Sequence, residues 1–139
     1  FTKSEILLSG QRLNEAQENI DQVLNIAPGN YPASIIKSKI LSSKKEFIKA
    51  EEILRDLLIG KNRDPGLWIQ LSEVQRAGKN IVGYHLSRGE YYTLIGDFDN
   101  ALNQFQFALS LSGNSFQTSE TIMTKIEFAR ERLSKRRGF

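Results

Sequence analysis

Ala16 and Ala50 stand 34 residues apart, and the apolar positions after them keep that interval: Ile20, Val23 and Leu24 are answered by Leu54, Leu57 and Leu58. A unit of that length cannot bury a core alone and must stack on its neighbours, which removes most folds from consideration. Within each unit the apolar residues recur at i, i+3, i+4 and i+7, the period of a helix with one buried face. The small residue lets two helix axes approach, and the large ones fill the space beside it. Pro28, twelve residues after Ala16, ends the first unit.

The periodicity predicts eight helices. They cover 4–9, 13–27, Pro32–Ser43, Phe47–Ile59, Leu67 to near Gly78, 81–95, 98–111 and 116–135. Pro28-Gly29-Asn30, Gly96-Asp97 and "SGNS" separate them, and in "GKNRDPG" Asp64 is placed to cap and Pro65 to open the next helix. No segment reads as a strand. Connections this short force antiparallel neighbours, so the expectation is a stack of helical hairpins.

Two helices every 34 residues is the signature of the tetratricopeptide repeat (TPR). The chain is accordingly read as all-α, a TPR-like right-handed superhelix in one domain over 1–139. Its repeats fall at about 1–30, 31–64, 65–97 and 98–113, with a closing helix at 116–135. The best match is "YHLSRGEYYTLIGDFDNALNQFQFALSL". There Gly89 is expected to meet Ala101 across a helix interface, with Tyr92, Phe105 and Ala108 completing the seam and Gly96 making the turn. Ala101 follows Ala50 by 51 residues, one and a half repeats, whereas strict continuation lands on the bulky Tyr84. The helix at 81–95 is therefore expected to close one repeat and open the next.

Chemistry is harder to find. The chain has no cysteine and one histidine, too little for a zinc site. No serine elbow or glycine-rich phosphate loop occurs, so neither an enzyme nor a cofactor is expected. The longest apolar runs, Ile6-Leu7-Leu8 and Leu57-Leu58-Ile59, are far too short to span a membrane. His85 is expected to pair with Glu90 or lie beside Trp68. Trp68 and one of Tyr91 and Tyr92 are assigned to the core, which leaves the other tyrosine as a possible binding anchor.

The net charge of +3 resides after Phe116, in Lys125, Arg130, Arg132, Lys135, Arg136 and Arg137 set against Glu120, Glu127 and Glu131. Cations suit a helix C-terminus, and no aromatic residues interleave with them, so a nucleic-acid partner is not expected. Lys37, Lys39, Lys44, Lys45 and Lys49 form either a solvated face or a patch for an acidic partner. In a stacked array, alternate helices line a concave face. Non-core positions on such helices give the candidate protein-binding residues: Lys39, Ser42, Gln70, Glu73, Arg76, Asn103 and Gln106.

The stretch from Asp64 to Leu133, about half of the chain, resembles the C-terminal repeat region of bacterial periplasmic β-barrel assembly-enhancing metalloproteases of the BepA type. Leu67, Trp68, Leu71, Gly78, His85, Glu90, Tyr91, Gly96, Ala101 and Ala108 carry the resemblance. It implies a protein-interaction or scaffold domain in the periplasm that handles substrates or outer-membrane assembly components. It also implies a zinc peptidase domain with an HExxH motif elsewhere in the parent protein. This chain has no HExxH, and its opening on Phe1 fits a fragment or processed product. The alternative is a free-standing TPR adaptor for envelope or pilus assembly with no attached enzyme.

Overall fold

The computed structural model describes residues 3–113 and 115–136, with side chains from residue 9 onward. Among these residues there are seven α-helices and no strand. They are α1 (Lys3–Ile26), α2 (Tyr31–Ser43), α3 (Phe47–Lys61), α4 (Pro65–Ala77), α5 (Ile81–Leu94), α6 (Phe98–Leu111) and α7 (Phe116–Arg136). The chain divides into two compact units, residues 1–60 and 61–139. Helices pack mostly on their sequence neighbours, α1 on α2 in the first unit and α4 through α7 in succession in the second. That is the arrangement of a helical-hairpin array.

Seven helices replace the expected eight because 4–9 and 13–27 are one uninterrupted helix, α1. A lone Gly10 costs a helix only about 1 kcal/mol relative to alanine, and no proline or capping residue follows to end the hydrogen-bond ladder there. The chain stops instead at Pro28-Gly29, where proline removes a donor and glycine frees the backbone.

Two kinds of turn punctuate the helices. In the first, the amides of Asn30 and Asp64, which are 34 residues apart, donate to the carbonyls of Ala27 and Lys61, both at 3.0 Å. Each residue then caps the helix it precedes: Asn30 Oδ1 accepts from the Ala33 amide at 3.1 Å, and Asp64 Oδ1 from the Gly66 amide at 2.9 Å. In the second kind a residue with left-handed backbone ends the helix, at Lys45 (φ 64°), Lys79 (φ 62°) and Gly96 (φ 78°). The next amide reaches back to a helix carbonyl: Glu46 to Leu41 and Asn80 to Gln75 at 2.8 Å, and Asp97 to Tyr92 at 2.9 Å. These are the six-to-one bonds that satisfy the orphan carbonyls of a helix end.

Lys45 and Lys79 keep the 34-residue period, but Gly96 follows Lys79 by 17. The period calls for a turn of the first kind at that place. The second kind stands there instead, so α5 has the same turn at both ends. This is the physical form of the half-repeat displacement of Ala101.

Within 61–139, Leu67, Leu71 and Val74 of α4 are buried, and Ser87 of α5 donates to Gln75 Oε1 at 2.6 Å in a buried bond. Between α5 and α6 the small residue Gly89 receives the Phe105 ring rather than Ala101. A β-carbon on Gly89 would lie 2.6 Å from Phe105 Cδ1 and 2.7 Å from its Cζ. Ala101 is one helical turn earlier, fully buried in the cluster that joins Phe105 and Ala108 to Ile122 and Ile126 of α7. Ala129 and Leu133 continue the buried stripe of α7. A Glu90–Lys125 ion pair ties α5 to α7.

Candidate functional site

The sequence-assigned binding residues fall on three helices. Lys39 (exposed) and Ser42 (half-buried) are on α2 in unit 1–60. Gln70, Glu73 and Arg76 follow one another at three-residue steps on α4, with Gln70 half-buried and the other two exposed. Asn103 and Gln106 are exposed on α6. Of these, the structure gathers Asn103 and Gln106: with Phe107 and Ser110 they line one shallow depression of about 470 Å³.

The local sequence dictates this face. Asp97 accepts from the Asn100 amide at 3.2 Å and fixes the start of α6. From there Ala101, Phe105 and Ala108 turn inward. Helical geometry sends residues two apart to nearly opposite sides, so Phe107 must face outward once Phe105 is core. Phe107 is 55% exposed. Among the described residues, no partner holds the amide of Asn103 or of Gln106. Ser110 is turned inward on its own helix, its Oγ donating to the Phe107 carbonyl at 2.8 Å.

The exposed ring is held from behind. His85 of α5 stacks on Phe107 with centroids 5.3 Å apart and planes 29° from parallel. The imidazole is anchored in turn, its Nδ1 bonded to Gln104 Oε1 at 2.8 Å and the Tyr84 ring set edge-on at 5.1 Å. His85 thus partners Gln104, not Glu90, whose carboxylate is taken by Lys125. Beside it Arg88 is sandwiched between Tyr84 (5.9 Å) and Tyr92 (5.6 Å), with Nη2 donating to the Tyr92 hydroxyl at 3.2 Å. This stacking compensates the buried Arg88 Nε, which has no hydrogen-bond partner.

Other aromatic and charged candidates take structural roles. Trp68 is half-buried rather than core, and its indole N–H donates to the Asn62 carbonyl at 2.7 Å, fastening the turn before α4. Tyr92 packs half-buried on the α6–α7 cluster, with Tyr91 edge-on to it. The five lysines do not make a common patch. Lys37 pairs with Asp21 of α1 at 2.7 Å, Lys44 donates to Gln17 at 2.5 Å, and Lys49 pairs with Glu46 at 3.3 Å. Lys45 occupies the left-handed turn.

Most of the basic segment of α7 is likewise engaged. Arg132 lies over Phe128 and Arg136 over Phe98, at 5.0 and 5.1 Å, and the two rings meet edge-on. Lys135 pairs with Glu131 at 3.2 Å, while Arg137 lies outside the described residues. Among the described residues no three acidic, histidine or cysteine side chains gather as a metal site would require, and no helix is long and apolar enough to cross a membrane.

Phe107 and its support are what sequence reasoning missed. The adjacency of Phe105 and Phe107 contained the signal, since a helix cannot bury both on one face. No protein-family model matches the chain, and no curated protein matches it.

Proposed function

We propose that this chain is a TPR-like protein-binding domain that works as a scaffold and carries no catalysis of its own. The observation that carries the reading is the outer face of α6, where an exposed aromatic ring is locked in place between side-chain amides that bond to nothing else. A rigid aromatic at the centre of a polar surface is the usual form of a protein-interaction anchor. The 34-residue turn pattern supports stacked hairpins of the TPR kind, with the superhelical curvature that such stacking produces.

The narrower setting rests on the resemblance over Asp64–Leu133 alone. It makes the chain the substrate- or partner-handling region of a periplasmic zinc metalloprotease acting with outer-membrane assembly components. Zinc then belongs to the peptidase domain and not to these residues.

Two measurements test the proposal. The encoding reading frame is expected to specify HExxH upstream of Phe1, and its absence refutes the peptidase setting in favour of a free-standing adaptor. Purified chain is expected to bind a denatured outer-membrane β-barrel protein or its assembly components in an interferometry assay. Absence of binding to all of them refutes the assembly role.

A further inference from the structure

We infer that the Phe107 face of α6 takes an uncharged, extended peptide segment, whose apolar side chain covers the Phe107 ring while its backbone pairs with the amides of Asn103 and Gln106. The inference rests on the protein-binding reading above and narrows it to one face and one ligand class.

Order comes first. The ring is 55% exposed, yet His85 stacks behind it, and His85 is itself pinned by Gln104 at 2.8 Å. A side chain already fixed in the free protein has little conformational freedom to lose when a ligand covers it.

Complementarity comes next. Each side-chain amide presents a donor and an acceptor, the same pair that a peptide group presents. Asn103 and Gln106 are one turn apart on the same helix face and flank the ring. The stretch from Asn103 to Ser110 rises roughly 10 Å along the helix, the length of about three residues of extended chain. The depression of about 470 Å³ has room for that segment.

Charge then selects the occupant. None of Asn103, Gln106, Phe107 and Ser110 is ionisable, and Arg88 of the neighbouring helix is engaged with Tyr84 and Tyr92. A lysine or glutamate laid on this face would shed water and find no counter-charge, which disfavours it. A neutral segment has no such penalty.

The test is an NMR titration of the full 139-residue chain with capped five-residue peptides built around a central leucine. One peptide has serine and threonine flanks, one lysine flanks, one glutamate flanks, and one repeats the neutral flanks with an N-methylated leucine. The neutral peptide is expected to shift the side-chain amide signals of Asn103 and Gln106 saturably. The lysine, glutamate and N-methylated versions are each expected to bind roughly tenfold more weakly. Phe107→Ala should weaken the neutral peptide by about tenfold or more with the helical circular dichroism unchanged. His85→Ala should weaken it several-fold, since it frees the ring without removing it.

Equal binding of a charged or N-methylated peptide overturns the inference. So does a concentration-dependent dimer abolished by Phe107→Ala, which would make a second copy the occupant. Shifts confined to Gln70, Glu73 and Arg76 overturn the inference and leave the protein-binding reading standing. If no peptide shifts any signal, the inference fails, and the β-barrel binding assay separately decides the broader reading.

Discussion

Replacing Gly89 with alanine sets two well-known effects against each other and shows which governs the α5–α6 contact. On an isolated helix the change stabilises by about 1 kcal/mol, because alanine restricts the unfolded chain. Here the added methyl would lie 2.6 and 2.7 Å from carbons of the Phe105 ring. Ordinary carbon contacts are about 3.5–4.0 Å, so ring or helix must move by about 1 Å. The ring has little room to yield, being 2% exposed and enclosed by Ala101, Ala108, Ile122 and Ile126. Overpacking of that kind costs about 1–3 kcal/mol. With an overpacking cost near the top of that range, the expected net loss after the alanine gain is about 2 kcal/mol.

Urea unfolding followed by the fluorescence of Trp68, the single tryptophan and a member of unit 61–139, reads the affected unit directly. The decisive control is the double change with Phe105→Leu, which removes the ring edge that alanine would strike. In that background Gly89→Ala should be neutral or stabilising, giving a coupling of about 1–2 kcal/mol. A Gly89→Ala chain more stable than the parent, or additive effects in the cycle, would refute the assignment of Phe105 as the partner of Gly89.

Three further expectations concern turns and buried polar groups. Lys79→Gly should raise stability by about 0.5–1 kcal/mol, because glycine adopts the left-handed conformation that lysine holds under strain; a lower urea midpoint would show the lysine side chain contributes more than its backbone costs. Ser87→Ala removes the donor to Gln75 Oε1 in a buried setting and should cost about 1–3 kcal/mol by the same measurement, an unchanged midpoint arguing that the bond is unimportant. Asp64→Ala should cost about 1 kcal/mol through loss of the α4 cap and should also shift Trp68 emission, since the Asn62 carbonyl that holds the indole belongs to the same turn.

The elements that were legible in the sequence are those whose cause is local. Asn30, Asp64 and Pro65 mark helix starts because capping depends on adjacent residues, and the apolar stripes of α6 and α7 follow from spacing alone. Gly10 misleads, because one flexible residue resembles a break but lacks the donors and turns that make one. Lys45 and Lys79 conceal their turns, since nothing in lysine announces a left-handed backbone; only their 34-residue interval and the glycine at the third site hint at it.

The candidate site divides in the same way. Asn103 and Gln106 are readable as outward polar positions, and Phe107 follows from Phe105 once helical geometry is applied. The bond from His85 to Gln104 spans 19 residues and depends on how α5 lies against α6, a relation that no window of sequence contains. Gly89 was visible as a small residue at a helix contact, but its partner was not, because Ala101 and Phe105 lie one turn apart on the same buried face.

The shared turn at the two ends of α5 bears on how such a chain can grow. If one type of junction serves on either side of a helix, the unit of addition or loss is a single helix of about seventeen residues rather than a pair. Each odd addition exchanges the roles of alternate helices in everything downstream. A lineage could thereby expose a different set of side chains to its partners by duplicating one helix, without altering any residue in the set it already has.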